Sequence, residues 1–136
     1  MTVKKSFFDT SIFIYALESG SAIARNLFEQ SITEGIVGTS TITLMEYATG
    51  CFKHDRLDIL DNFQRFLRVI KCEVVPINEV IAFKAAEIRS QYEAFKQMDA
   101  LHIATAVVSG ANVFYTNDKQ LLQYQEIAVV SPFNGD

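Results

Sequence analysis

The sequence alternates short apolar segments with longer stretches whose apolar residues recur at helical spacing. The short segments are about five in number and read VKKSFF, GIVGTS, CEVVPI, NVFYT and IAVVS. Between them lie amphipathic stretches, of which NEVIAFKAAEIRSQYEAF is the longest, and a nearly all-apolar one, DALHIATAVVSG. This alternation predicts an α/β sandwich, in which a mostly parallel central sheet of about five short strands is flanked by helices.

The length of the chain suits one domain, because single domains cluster at roughly 100–150 residues. No internal repeat, linker or low-complexity tract divides the sequence, so we predict a single domain over residues 1–136. Hydrophobic residues make up 49% of the chain, which excludes a disordered protein.

The apolar segments also bear on where the protein is found. None approaches the ~20 residues that a membrane span needs, and no signal-peptide apolar region precedes Asp9. We therefore expect a cytoplasmic protein with no membrane partner. In such a reducing compartment, Cys51 and Cys72 are expected to be free thiols in or near the core.

Four acidic residues stand where a predicted strand ends or a predicted helix begins. Asp9 follows the first strand, and Asp118 follows NVFYT. Glu46 lies in the first turns of the helix after GIVGTS, and Asp99 opens the all-apolar helix. Functional groups of parallel sheets gather beyond the carboxyl ends of the strands, so we expect these four acids to converge on one edge.

Each acid also has a purely local explanation. Asp9 could cap the following helix, Thr43 and Glu46 fit a capping box, Asp99 suits a helix start, and Asp118 suits a turn. Four such acids on one edge would nevertheless repel each other unless a cation lay among them. Mg²⁺ and Mn²⁺ prefer oxygen ligands of this kind, so the set also predicts a metal site.

These segments together resemble the PIN domain. The resemblance rests on Asp-Thr-Ser after an apolar strand, then T-x-x-x-E-Y, then MDALHIATA, then YTND, in this order. It extends from Asp9 to about Val130, and the branch most like this chain is that of the VapC-type ribonuclease toxins. The ordered set is more specific than any single motif in it.

The resemblance assigns roles to individual residues. The supporting hydroxyl of the family falls on Ser11, and Thr116 begins its T-x-D element. The family's acidic quartet falls on Asp9, Glu46, Asp99 and Asp118. The three aspartates would bind Mg²⁺ or Mn²⁺, while Glu46 would complete the site or orient the attacking water. The hydroxyls of Thr10, Ser11 and Thr116 would fix the orientation of the carboxylates.

The resemblance implies a metal-dependent endoribonuclease that is the toxin of a toxin–antitoxin pair, a homodimer blocked by its cognate antitoxin. One alternative is a PIN-like scaffold that binds RNA or a partner without cutting. An aspartate-nucleophile phosphatase would need a second aspartate where Ser11 stands. His102 shares a helix face with Asp99, and we expect a hydrogen-bonded residue at the edge of the site.

The net charge of −4 and the pI of about 5.1 argue against a protein that binds nucleic acid by phosphate neutralisation alone. The chain has 16 acidic and 12 basic residues, so without the four site acids the two signs balance. Bound divalent cations would therefore offset the acidity of this protein.

Overall fold

Five parallel strands form the centre of the computed structural model, which describes residues 3–133. The strands are β1 (Lys4–Phe8), β2 (Gly35–Ser40), β3 (Glu73–Val75), β4 (Val113–Tyr115) and β5 (Ala128–Val130). Their order across the sheet is β3-β2-β1-β4-β5, and each neighbouring pair is parallel. The predicted sandwich with a parallel sheet of short strands is thus confirmed.

Helices connect the strands and cover both faces of the sheet. They are α1 (Thr10–Leu17), α2 (Ala22–Glu34), α3 (Thr41–Lys53), α4 (Leu57–Val69), α5 (Glu79–Gln91) and α6 (Gln97–Val108), followed by a short 3-10 helix (Lys119–Gln123). The prediction that NEVIAFKAAEIRSQYEAF forms the longest helix is wrong, because α5 has 13 residues, as many as α2, α3 and α4. The backbone leaves the helix at Tyr92, whose ring stacks on Phe95 at 4.8 Å.

The two faces of the sheet have separate apolar cores, and consecutive residues of β1 point into them. Phe7 is 1% exposed and packs with α5 and α6 residues such as Ile88 and Ile103. Phe8 is fully buried on the other face, where its ring stacks on Phe28 of α2 at 4.2 Å. This alternation holds β1 at the centre of the sheet, with covered faces above and below.

The close pairing of β1 with β2 depends on two glycines. Gly38 is the register partner of Phe7, and a Cβ atom at Gly38 would lie 2.4 Å from Cε1 of that ring. Gly35 pairs with Lys4, where a Cβ atom would lie 2.0 Å from the carbonyl oxygen. Larger residues at these positions would push the two strands apart.

Residues 3–133 form one unit around this sheet. The prediction of a domain over residues 1–136 extends to termini outside this range and stays a prediction. Within the described range no helix has both the length and the apolar character needed to cross a membrane. Cys51 is buried and Cys72 partly buried, and both are free thiols, as expected.

Candidate active site

The candidate site lies at the carboxyl edge of the sheet, where β1 is flanked by β2 and β4. The backbone N–H of Asp9 donates to the carbonyl of Tyr115 at 2.9 Å, so the chain leaves β1 directly beside the end of β4. On the other side, β2 ends at Ser40 and passes at once into α3. This topology brings three chain segments with polar side chains to one place.

Asp9 is the N-cap of α1, and both of its carboxylate oxygens have donors. Oδ1 accepts from the backbone N–H of Thr10 at 2.7 Å, and Oδ2 accepts from the hydroxyl of Thr116 at 2.7 Å. The Thr116 hydroxyl in turn accepts from the N–H of Asp118 at 3.0 Å. The cap explanation is therefore correct as far as it goes, and the same bonds fix the carboxylate in one orientation.

Glu46 lies well inside α3 and does not cap it. The helix begins at Thr41, so the predicted capping box of Thr43 and Glu46 is wrong. The Glu46 Oε1 atom accepts instead from the hydroxyl of Thr10 at 2.5 Å and lies 2.9 Å from Nε2 of His102. Burial alone would raise the pKa of Glu46, but the bonds from His102 and Thr10 outweigh it and lower that pKa.

A chain of buried threonine hydroxyls supports the contacts of Glu46. The Thr10 hydroxyl lies 3.1 Å from that of Thr43, and the Thr39 hydroxyl lies 3.0 Å from Thr43 and donates to the carbonyl of Phe8 at 2.8 Å. Thr39 and Thr43 are fully buried. The polar network therefore joins β1, β2, α1 and α3, and it leaves Glu46 little freedom to move.

Asp99 stands in the first turn of α6, and the N-cap of that helix is Lys96, whose side chain makes no capping bond. Burial raises the pKa of Asp99, and the charges of Asp118 and then Asp9 raise it further. Asp99 thus lies in the field of two other carboxylates. The convergence of all four acids on one metal site stays a prediction.

Asp118 is exposed and begins the short 3-10 helix, where its Oδ1 accepts from the N–H of Gln120 at 3.0 Å. The turn explanation is therefore correct too, alongside the charge that Asp118 places near Asp99. Ser11 acts one step away from the carboxylates. Its hydroxyl accepts from the N–H of Asn117 at 3.3 Å and so ties α1 to the loop before Asp118.

His102 is the residue whose importance the sequence understated. It is 2% exposed and hydrogen-bonded as expected, but it lies between two acids and not at the edge. Its Nε2 is 2.9 Å from Oε1 of Glu46 and 3.7 Å from Oδ1 of Asp9, and its Nδ1 is 3.2 Å from Oγ of Ser40. Burial lowers its pKa, but Glu46, Asp9 and Asp99 raise it by more.

The arrangement can hold a divalent cation. Asp9, Glu46 and His102 each offer one ligand atom, and these atoms all lie within 4.8 Å of one another. Carboxylates suit Mg²⁺ and Mn²⁺, and a positive ion would relieve the repulsion that raises the pKa of Asp99. His102 was not among the predicted ligands, and only its position three residues after Asp99 could have pointed to it.

Comparison with known proteins places these residues in a family context. A family model described as the PIN domain matches residues 6–127. The matched range includes Asp9, Glu46, Asp99 and Asp118, together with β2, β3, β4 and the second half of β1, and it ends just before β5. No curated protein matches the sequence.

Several solved structures share the fold over nearly the whole chain. A chain of VapBC2 from Rickettsia felis, bound to a DNA fragment from its promoter, has a TM-score of 0.82 and 19% identity, covering 93% of this chain and 98% of that one. A chain of DNA-bound VapBC from Salmonella typhimurium has a TM-score of 0.80 and 21% identity, and the match covers 95% of this chain and 98% of that one. A chain of a toxin–antitoxin complex from Klebsiella pneumoniae has a TM-score of 0.72 and 26% identity, and the match covers 94% of this chain and 98% of that one.

Proposed function

This chain belongs to the PIN-domain family, and we propose that it is a metal-dependent endoribonuclease that hydrolyses RNA phosphodiester bonds. One observation carries the proposal. At the carboxyl edge of the sheet Asp9, Glu46 and His102 offer ligand atoms within 4.8 Å of one another, and the pKa of Asp99 is raised by burial and then by the charges of Asp118 and Asp9. Such a cluster costs stability without a cation, and phosphodiester hydrolysis is a reaction in which bound cations serve.

In this proposal Asp9, Asp99 and Asp118 hold Mg²⁺ or Mn²⁺, and Glu46 completes the site. A cation held by these carboxylates would lower the pKa of a bound water and offset charge on the phosphate. The Thr10 N–H and the Thr116 hydroxyl hold the Asp9 carboxylate in place for this task.

Glu46 is suited to orient the attacking water. Its Oε1 already accepts from Thr10 and His102, and Oε2 can accept from a water molecule. The lowered pKa of Glu46 makes it a weak base, because such a carboxylate stays ionised and takes up a proton reluctantly. We therefore assign Glu46 to positioning and not to proton abstraction.

We further propose that the protein is the toxin of a toxin–antitoxin pair, with a cognate antitoxin as partner. The support is the likeness to chains of VapBC complexes and to the Klebsiella pneumoniae toxin–antitoxin complex. A homodimer, which the VapC-type resemblance implies, and the cytoplasmic location expected from the sequence belong to the same proposal. A small neighbouring reading frame that encodes a DNA-binding protein would support it.

The test is incubation of purified, antitoxin-free protein with total RNA, followed by mapping of the cut sites. We expect cleavage with Mg²⁺ or Mn²⁺ and none in EDTA. Asp9→Asn should abolish cleavage, while Asp61→Asn on the exposed side of α4 should cut like the wild type. Equal cleavage in EDTA would refute the metal mechanism. No cleavage of any RNA would favour a scaffold that binds RNA or a partner without cutting.

A further inference from the structure

A cavity of about 300 Å³ opens between α1, α3 and the start of α4. Glu46 lines one end of it, so the cavity is continuous with the acidic site. Its walls carry the apolar side chains of Ile14, Tyr47 and Ile59. A volume of this size is at the lower end of the range for small-molecule sites, and an apolar wall suits a flat aromatic ring.

Gly50 forms part of the cavity wall and has no packing reason to be glycine. It lies within α3, its φ is not positive, and outside its own stretch of helix backbone no atom of residues 3–133 would lie within 4 Å of a Cβ atom there. Glycine within a helix destabilises it relative to alanine. An open wall beside an approaching ligand accounts for a residue that the helix itself does not favour.

Glu18 faces this cavity from the end of α1. It is exposed, and its carboxylate raises the pKa of both Tyr47 and Cys51, in each case after burial as the larger cause. Tyr47 is 3% exposed, and between residues 3 and 133 no acceptor meets the full distance and angle of a hydrogen bond to its hydroxyl, although the Glu18 carboxylate is near enough to raise its pKa as a hydrogen-bonding group. That buried hydroxyl is a donor that can fix the Glu18 carboxylate when a ligand draws it inward.

We propose that this cavity binds the base of a nucleotide next to the scissile phosphate, and that Glu18 selects guanine there. The inference rests on the proposed function, because it names a feature of the RNA that the acidic site would cut. Tyr47 acts as a positioning residue through Glu18, and Gly50 keeps the space for the base open.

Guanine fits the donor–acceptor pattern of the cavity best. An ionised carboxylate only accepts hydrogen bonds, and its two oxygens lie side by side. Guanine presents an N–H and an amino group side by side on its Watson–Crick edge, so one carboxylate can accept both. Adenine and cytosine offer only an amino group there, and uracil only an N–H. Single-stranded RNA exposes this edge for such recognition, with the base stacked on apolar or aromatic side chains.

The distance along α3 from Glu46 to Gly50 suits a base attached to the phosphate that lies at the acidic site. Glu46 and Gly50 are one helical turn apart on the same face, about 6 Å along the axis. Arg56 lines the same cavity, and its Nε and Nη2 atoms donate to the Asp58 carboxylate at 3.0 and 2.9 Å. Its Nη1 atom can then donate to a phosphate of the bound strand.

The experiment uses the full chain and short 2′-O-methyl oligonucleotides, which bind without being cut. Their sequence is taken from a cut site mapped for the wild type, with guanine, inosine or adenine at each flanking nucleotide. Fluorescence anisotropy in Mn²⁺ measures the affinities. Inosine lacks only the amino group of guanine, so at one flanking position the wild type should bind guanine about tenfold more tightly than inosine.

Three variants separate the parts of the cavity. Glu18→Gln, which replaces one acceptor oxygen with a donor, should reduce the guanine-to-inosine ratio to about one. Tyr47→Phe, which removes only the hydroxyl, should reduce the ratio while leaving the fold intact, and Gly50→Leu should weaken guanine binding by filling the cavity. Glu29→Gln, an exposed acid on α2, is the matched control and should keep the wild-type ratio. Melting temperatures confirm that each variant is folded.

An unchanged guanine-to-inosine ratio in Glu18→Gln would overturn the assignment of Glu18. A wild type that cuts RNA but shows no preference at either flanking nucleotide would overturn the base site and leave the nuclease proposal standing. Failure of the nuclease proposal looks different, since no RNA would then be cut with Mn²⁺.

Discussion

Nε2 of His102 lies 2.9 Å from Oε1 of Glu46, which joins α6 to α3 across the candidate site. The contact is buried on the histidine side, where 3% of the side chain is exposed. Glu46 in its ionised form only accepts, so Nε2 carries the proton in this pair. Ser40 lies at hydrogen-bond distance from the other ring nitrogen and holds the ring at that angle.

The first prediction concerns this pair. His102→Ala should weaken Mn²⁺ binding by about 10–100-fold, because partners that orient ligands contribute that much to metal affinity. It should also cost about 1–3 kcal/mol of stability, since buried polar groups lose their partner. His102→Gln keeps an N–H donor near Glu46 and should restore most of the affinity. Titration of Mn²⁺ by electron paramagnetic resonance measures this without any RNA.

Two outcomes would contradict that interpretation. Wild-type Mn²⁺ affinity in His102→Ala would mean that Thr10 alone positions Glu46. A loss that His102→Gln does not repair, in a folded protein, would instead indicate that the imidazole binds the metal directly.

The second prediction compares two glycines whose surroundings differ, one open and one crowded. Gly50→Ala should stabilise the protein by about 0.5–1 kcal/mol, because alanine favours the helix more than glycine does and the new methyl group would crowd no side chain among the described residues. Gly35→Ala should destabilise it by about 1–3 kcal/mol, because a Cβ atom would lie 2.0 Å from the Lys4 carbonyl oxygen. Urea unfolding of both variants beside the wild type gives the two free energies. Equal effects would show that the close contact at β1 is relaxed by the backbone at no cost.

The third prediction is a pH dependence that follows from Asp99. Its pKa is raised in the folded protein, so folding binds protons there, and stability is lost as the pH rises through the folded pKa. In EDTA at about pH 7, Asp99→Asn should be more stable than the wild type by about 0.5–2 kcal/mol. This advantage should shrink toward about pH 4, where the carboxyl group of the unfolded chain takes up its proton.

Urea unfolding at several pH values, with EDTA throughout, measures the difference. Asp61→Asn on the exposed face of α4 serves as the control and should change stability by less than about 0.5 kcal/mol at each pH. A stability gain of Asp99→Asn that grows toward low pH would have the wrong sign. It would mean that the Asp99 carboxylate is stabilised in the fold, and not repelled by Asp118 and Asp9.

The sheet could be predicted from the sequence because each strand is a short apolar run that ends at a clear signal. Phe7 and Phe8 precede Asp9, and β3 stops before Pro76. Asp9 and Asp118 follow β1 and β4, which fits the rule that functional groups gather beyond the carboxyl ends of parallel strands. Local bonds were predictable for the same reason, since Asp9 and Asp118 do cap the segments that follow them.

The rest depended on contacts between distant segments, which local patterns do not encode. The spacing of Thr43 and Glu46 fitted a capping box, yet the N-cap of α3 is Ser40, three residues before Thr43, and the Ser40 hydroxyl lies 3.2 Å from Nδ1 of His102 instead of capping the helix. Helix spacing could not predict the contact between His102 of α6 and Glu46, which lies 56 residues earlier in the chain. That pairing arises from the packing of α6 against β2 and α3.

The last prediction tests whether Asp9 is a cap, a metal ligand or both. Its Oδ1 caps α1 through the Thr10 N–H, and Oδ2 accepts from Thr116. Asparagine caps about as well as aspartate, so Asp9→Asn keeps a capping oxygen and removes the charge. If Asp9 were only a cap, loss of its charge at a helix start would cost roughly 0.3–1 kcal/mol and leave the response to metal unchanged. If Asp9 is a ligand among repelling carboxylates, Asp9→Asn should be as stable as the wild type in EDTA, or more stable, because one repelling charge is removed.

The response to metal separates the two roles further. Wild-type protein should gain about 2.7 kcal/mol from Mg²⁺ or Mn²⁺ at a hundred times the dissociation constant, and Asp9→Asn should gain much less. Melting curves of both proteins in EDTA and in metal, at fixed ionic strength, provide the comparison, with Asp61→Asn as the control. A variant that melts lower in EDTA and responds to metal like the wild type would show that Asp9 only caps α1.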